Sequence, residues 1–129
     1  MKYLTNYTEQ AQTDLFNETG AFWAFSNAQF AEKQQPGVTY VTIPGLNGLV
    51  CPKKLASNFV DRLIAIGEEG RKMDLQENGK EAIIKRELYN HECFYTGQPE
   101  DIYEDMKCYG FTEQDVRAVY VKELPNSDL

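Results

Sequence analysis

The stretch Val38-Thr39-Tyr40-Val41-Thr42-Ile43-Pro44-Gly45-Leu46-Asn47-Gly48-Leu49-Val50-Cys51-Pro52 decides the fold class. Two runs rich in β-branched and aromatic residues flank a turn segment of Pro, Gly and Asn, and Pro36-Gly37 precedes the first run. The pattern predicts an antiparallel hairpin over about 38–51. Pro52 suits the start of a helix, where a missing N–H is harmless. Leu55, Phe59, Leu63 and Ile66, flanked by Val60 and Ile64, then repeat at the spacing of one buried helical face, which predicts a helix over 53–69.

Downstream, Asp74-Leu75-Gln76-Glu77 offers a cap for a new helix, and Asn78-Gly79 offers a competing break. Either way, Ala82, Ile83, Ile84 and Leu88 place a helix across about Lys80 to Cys93, read as antiparallel to its predecessor. Pro99, with Glu100 and Asp101 in a first turn, opens another helix that ends at Tyr109-Gly110. Thr112 is a cap, and Phe111 and Val116 can form a hydrophobic staple. Over 117–124, the spacing of Val116 and Val119 argues for helix and the β-branched content for strand; we read a third strand there. Pro125 to Leu129 is expected to fray.

Upstream, Thr8 to Thr19 reads as a helix with Leu15 and Phe16 as apolar contacts and Gly20 as its left-handed stop. The aromatic segment Ala21 to Phe25 follows, and Ser26 with Gln29 predicts a reciprocal cap for a short helix running toward Lys33. The expected architecture is α+β: a small antiparallel sheet, made of the hairpin and the strand at 117–124, packed against helices that include those at 53–69 and 79–93. A chain of 129 residues predicts one globular domain, residues 1–129.

Composition narrows the function classes. Hydrophobic residues make up 42% and charged residues 26%, which is the range of a folded globular chain. No apolar run reaches the length needed to cross a bilayer, and the first residues do not resemble a signal peptide. Cys51, Cys93 and Cys108 are an odd number without paired spacing, so neither a disulfide framework nor a zinc ribbon is indicated and a reducing cytoplasm is expected. The net charge of −7 is uneven: residues 94–129 hold eight acids against Lys107, Arg117 and Lys122, whereas residues 53–93 balance eight against eight. Such a surface opposes a phosphate backbone, and only Lys53, Lys54 and Arg62 form a small basic patch. Direct binding of duplex nucleic acid is not expected.

No catalytic motif emerges. The glycines form neither a P-loop nor a dinucleotide fingerprint, Ser26 and Ser57 lack a nucleophile-elbow context, and no cofactor is implied. Glu87 and His91, four apart on one helical face, could share a metal if Asp61 or Asp74 supplied a third ligand. The preferred alternative is a polar cluster at a helix end. A Cys₃His zinc site from Cys51, Cys93, Cys108 and His91 has the right ligands in the wrong spacing. Phe22, Trp23, Phe25 and Phe30 could stack nucleobases, but the scarcity of flanking bases favours a packed core segment.

The segment Gly20-Ala21-Phe22-Trp23-Ala24-Phe25-Ser26-Asn27-Ala28-Gln29-Phe30, with Glu87-Leu88-Tyr89-Asn90-His91-Glu92, resembles a family of small uncharacterised proteins of bacteriophages and bacterial mobile elements. The resemblance implies a setting, an accessory protein in the bacterial cytoplasm, and supplies no activity. In that setting the carboxylates Glu100, Asp101, Glu104, Asp105, Glu113 and Asp115, with Tyr103 and Tyr109, form the expected interaction surface. The expected partner is a host protein with a basic groove. Self-association stays open. The expected function is therefore non-catalytic binding, with a small metal-dependent hydrolase centred on Glu87 and His91 as the alternative.

Overall fold

A computed structural model describes residues 1–127. The elements run α1 (Leu4–Thr19), β1 (Phe22–Trp23), α2 (Asn27–Lys33), β2 (Tyr40–Thr42), β3 (Leu49–Pro52), α3 (Ala56–Asn78), α4 (Lys80–Asn90), α5 (Cys93–Thr96), α6 (Tyr103–Lys107) and α7 (Glu113–Glu123). Short 3₁₀ turns occupy Lys53–Leu55, Pro99–Ile102 and Leu124–Asn126. The class is α+β, and no helix among the described residues is long and apolar enough to cross a membrane. The chain divides into two compact units: Lys2 with Leu4–Glu69, and Gly70–Leu129 with Met1 and Tyr3. The division falls inside α3.

In the first unit the hairpin forms as the β-branched runs predict, with Val41 opposite Cys51 and Thr42 opposite Val50. Leu49, Val50 and Cys51 are all buried, an unbroken apolar run of the kind that marks a strand covered on both faces. β3 is indeed central, in the order β1-β3-β2. Its second neighbour is β1, with Phe22 opposite Val50 and Trp23 opposite Leu49. The third strand therefore comes from the aromatic segment at 22–23 and not from 117–124. Leu15, Ala21, Ile43, Leu49, Cys51 and Phe59 make the core, with Phe16, Ala56, Val60, Leu63 and Ile66 packed against it.

Residues 117–124 lie instead in α7 and the first residue of the following turn. The hydroxyl of Thr112 accepts from the Asp115 N–H at 3.0 Å, and the Asp115 carboxylate accepts from the Thr112 N–H at 2.9 Å. This reciprocal cap nucleates a helix that buries Val116 and Val119, while β-branching costs only tenths of a kcal/mol per residue, about 0.5 at most. Packing of one face outweighs β propensity. Phe111 and Val116 share the same core, as a staple requires.

Other boundaries also move. α3 runs through Asp74–Glu77 without a cap and stops at the Asn78-Gly79 break, where Gly79 takes φ 82, a conformation that favours glycine. α1 begins four residues before the predicted Thr8, at Leu4. The Ser26 hydroxyl accepts from the Gln29 N–H at 3.2 Å, but Gln29 reaches back to the Phe25 N–H, at 2.7 Å, one residue beyond the cap. α4 buries Ile83, Ile84 and Leu88 in a core with Phe94, Ile102, Met106, Phe111, Val116 and Val119, not in the core of the sheet. Pro125 and Asn126 lie in a 3₁₀ turn; of the expected frayed tail, Asp128 and Leu129 fall outside the described residues.

Candidate functional site

The helical unit contains the most buried charged group among the described residues. Asp74 is fully buried near the end of α3, and Arg86 of α4 meets it through two hydrogen bonds, Nη1 to Oδ1 at 2.9 Å and Nη2 to Oδ2 at 3.0 Å. The Tyr109 hydroxyl donates to Oδ2 at 2.7 Å, and the Asn78 amide donates to Oδ1 at 2.8 Å. Arg86 Nε is held by Glu87 at 3.2 Å, and the guanidinium lies over the Tyr3 ring. Burial alone would push the Asp74 carboxyl up; the hydrogen bonds from Arg86, Tyr109 and Asn78 reverse this and hold it below its ordinary value. Burial, then the Asp74 carboxylate, pushes the Tyr109 hydroxyl well above the usual phenol range.

This closed network absorbs several residues the sequence placed elsewhere. Glu87 is spent on Arg86, and the His91 ring lies 3.9 Å from the Asp105 carboxylate. Asp74 is committed to its three donors, and Asp61 is exposed. Among the described residues no three His, Cys, Asp or Glu side chains converge as a metal site. Cys51 lies in the core of the sheet unit, Cys93 in the helical core, and Cys108 is exposed. Burial raises both Cys51 and Cys93 thiols above their ordinary range, which keeps them protonated.

Of the expected interaction surface, Glu100, Asp101, Glu104, Asp105 and Glu113 are exposed on the Pro99–Ile102 turn and the starts of α6 and α7. Glu104 pairs with Lys107 at 3.1 Å, and Asp115 is occupied by the Thr112 cap and by Lys80 at 3.3 Å. Tyr103 is buried and accepts from Arg117 Nε at 2.7 Å, and Tyr109 points into the Asp74 network. The two tyrosines belong to the interior, and the carboxylates stand without them.

The sheet unit presents a different arrangement. Phe22 and Phe30 are half-buried and pack edge-on against Tyr40, as a core segment should. Trp23 and Phe25 do not follow them inward: they are 41% and 67% exposed. Phe16, Trp23 and Phe25 form a continuous stack with centroids 6.1 Å apart at each step. Phe25 is seated on Gly48, where a Cβ would come within 2.3 Å of the ring. Only a residue without a side chain lets the ring lie there.

Beside the stack opens a cleft of about 480 Å³. One wall is a single face of α1, contributing Glu9, Gln12, Thr13, Phe16 and Asn17 at helical spacing; the other is Trp23, Leu46, Leu49 and Leu63. None of the polar side chains Glu9, Gln12, Thr13 and Asn17 has a hydrogen bond or ion pair within the described residues. No Lys or Arg lines the cleft; Lys33 donates to the Trp23 carbonyl at 2.7 Å, and Arg62 pairs with Glu18 at 2.6 Å. An apolar wall facing a few solvent-accessible polar groups is the usual chemistry of a ligand or partner site, which occupies roughly 300–1,000 Å³. Sequence reasoning missed this cleft because Leu46 sits in a turn and the polar residues of α1 read as solvated. The signal available was an α1 with three acids, Glu9, Asp14 and Glu18, and no base.

One family model, described as "Family of unknown function (DUF7659)", matches residues 4–124. No curated protein and no solved structure matches the chain.

Proposed function

The chain belongs to this family of unknown function, DUF7659, and from that premise we propose that it is a non-catalytic protein-binding module whose contact surface is the aromatic cleft of the sheet unit. One observation carries the reading. Trp23 and Phe25 are exposed yet stacked on one another, with Phe25 seated on Gly48, beside a cleft whose polar wall has no partner among the described residues. Interface anchors are large aromatic side chains fixed before binding, so that little rotamer freedom is lost on association. The acid–base groups of the helical unit, by contrast, are engaged with one another, which argues against proton chemistry there.

The exposed carboxylates Glu100, Asp101, Glu104, Asp105 and Glu113 add a negative field that speeds encounter with a basic partner without supplying the anchor. The phage or mobile-element setting implied by the sequence resemblance makes a bacterial host protein the partner class. Affinity capture from a bacterial lysate at low and high salt tests the proposal. A basic protein held by the wild type and lost with Phe25→Ser plus Leu46→Glu is the expected result. A partner kept by that variant but lost with Glu104→Lys plus Asp105→Lys would move the site to the acidic helical surface.

A further inference from the structure

Resting on that reading, we infer that the cleft takes a partner segment in which a large apolar side chain is adjacent to arginine or lysine. The apolar wall of Trp23, Leu46, Leu49 and Leu63 sets the first requirement. The second comes from the polar wall. Glu9 is the only charged residue lining the cleft, and it has no partner among the described residues. Asp14 on the same helix has no cation partner among the described residues, its carboxylate accepting from the Gln10 amide at 3.0 Å. Gln12, Thr13 and Asn17 can each accept as well as donate along the same face, so Glu9 sets the charge preference.

An acidic segment placed here would meet like charge, because Glu9 lines the cleft and α1 carries three acids and no base. A wholly apolar segment would strip water from Glu9 without replacing its hydrogen bonds, an unfavourable exchange. A cation beside the apolar anchor satisfies both walls.

Trp23 is the only tryptophan in the chain and lines the cleft, so its emission reports occupancy directly. The full chain is titrated with three capped synthetic peptides sharing a Leu-Phe pair, flanked by arginines, serines or glutamates. A saturable emission change, tightest for the arginine peptide and weakest for the glutamate peptide, is expected. The arginine preference should fall about two- to fivefold in Glu9→Gln at low salt, the scale of one exposed ion pair. Equal binding of all three peptides overturns the charge assignment while leaving the cleft as the site. No response to any peptide, with emission that instead changes on dilution and stops changing in Leu46→Glu, assigns the cleft to a second copy and overturns the inference. No response and no dilution effect removes the cleft from the account altogether.

Discussion

The two units use their polar side chains in opposite ways. In the helical unit those at the core close on one another: Asp74 with Arg86, Tyr109 and Asn78, Glu87 with Arg86, Tyr103 with Arg117, and Glu123 with Lys85 and Tyr89, while the carboxylates from Glu100 to Glu113 stay at the surface. In the sheet unit the α1 face of the cleft leaves Glu9, Gln12, Thr13 and Asn17 open to solvent while the neighbouring aromatics are also exposed. Closed polar groups contribute to a unique, stable fold, and open ones beside fixed aromatics contribute to recognition. Substitutions should therefore separate: those in the helical network act on stability, and those at the cleft act on binding.

The largest expected effect breaks the closed side of this contrast. Asp74→Ala leaves Arg86 charged and buried without its bidentate partner, and should cost about 3–5 kcal/mol in urea denaturation. Replacing the network by apolar side chains, with Asp74→Leu, Arg86→Met and Tyr109→Phe together, should recover most of that loss, since a buried ion pair rarely exceeds well-packed hydrocarbon in net stability. The pH dependence has a definite sign. Because the Asp74 carboxyl is held below its ordinary value of 3.8 in the folded chain, its contribution is complete above that value and is lost as the pH falls through the folded pKa. The wild type should lose stability steeply below about pH 3.8, whereas Asp74→Ala lacks that component of the slope.

Why the network escaped the sequence reading is instructive. Asp74 follows Ile66 and Gly70 in steps of four, so it falls on the buried face of α3 once the helix is known to continue. A helix that ends at 69, in the stretch holding Gly67 and Gly70, leaves Asp74 as a cap residue and a stray metal ligand. Two glycines in a helix of 23 residues each cost about 1 kcal/mol, which the buried face absorbs. The hairpin, the Gly20 stop, the Ser26 and Thr112 caps and the break at Gly79 were legible because each depends on local backbone chemistry. The third strand was not, since β1 has only two residues and exists through its pairing with β3. No periodicity fits in so short an element.

A smaller effect tests the seat of the aromatic stack. Gly48→Ala adds a Cβ where the Phe25 ring lies, at a residue with φ 88. The Cβ forces the ring off its seat, so the cost should be the left-handed strain, about 1–2 kcal/mol, together with the lost stacking of Phe25 on Trp23. The Trp23 emission should change as Phe25 leaves its stack, and unchanged emission would show that the ring does not depend on Gly48. In the other unit, Thr112→Ala removes the hydroxyl half of the α7 cap and should cost about 1 kcal/mol, with loss of helical circular dichroism. A loss of β signal instead would revive the strand reading of 117–124.

The finest separation compares two aromatic residues of similar size. Tyr103→Phe in the helical core loses one hydrogen bond from Arg117, and should cost about 1 kcal/mol in stability while leaving peptide binding untouched. Phe25→Ser removes a ring that is 67% exposed and touches chiefly Trp23 and Gly48, so its stability cost should stay below about 1 kcal/mol. Its effect on partner affinity should be far larger, because a fixed exposed aromatic contributes its burial only in the complex. If Phe25→Ser proved the more destabilising of the two and bound partners normally, the stack would be part of the sheet's packing. The open polar wall of α1 would then have no anchor beside it, and the contrast between the units would reduce to one of solvation.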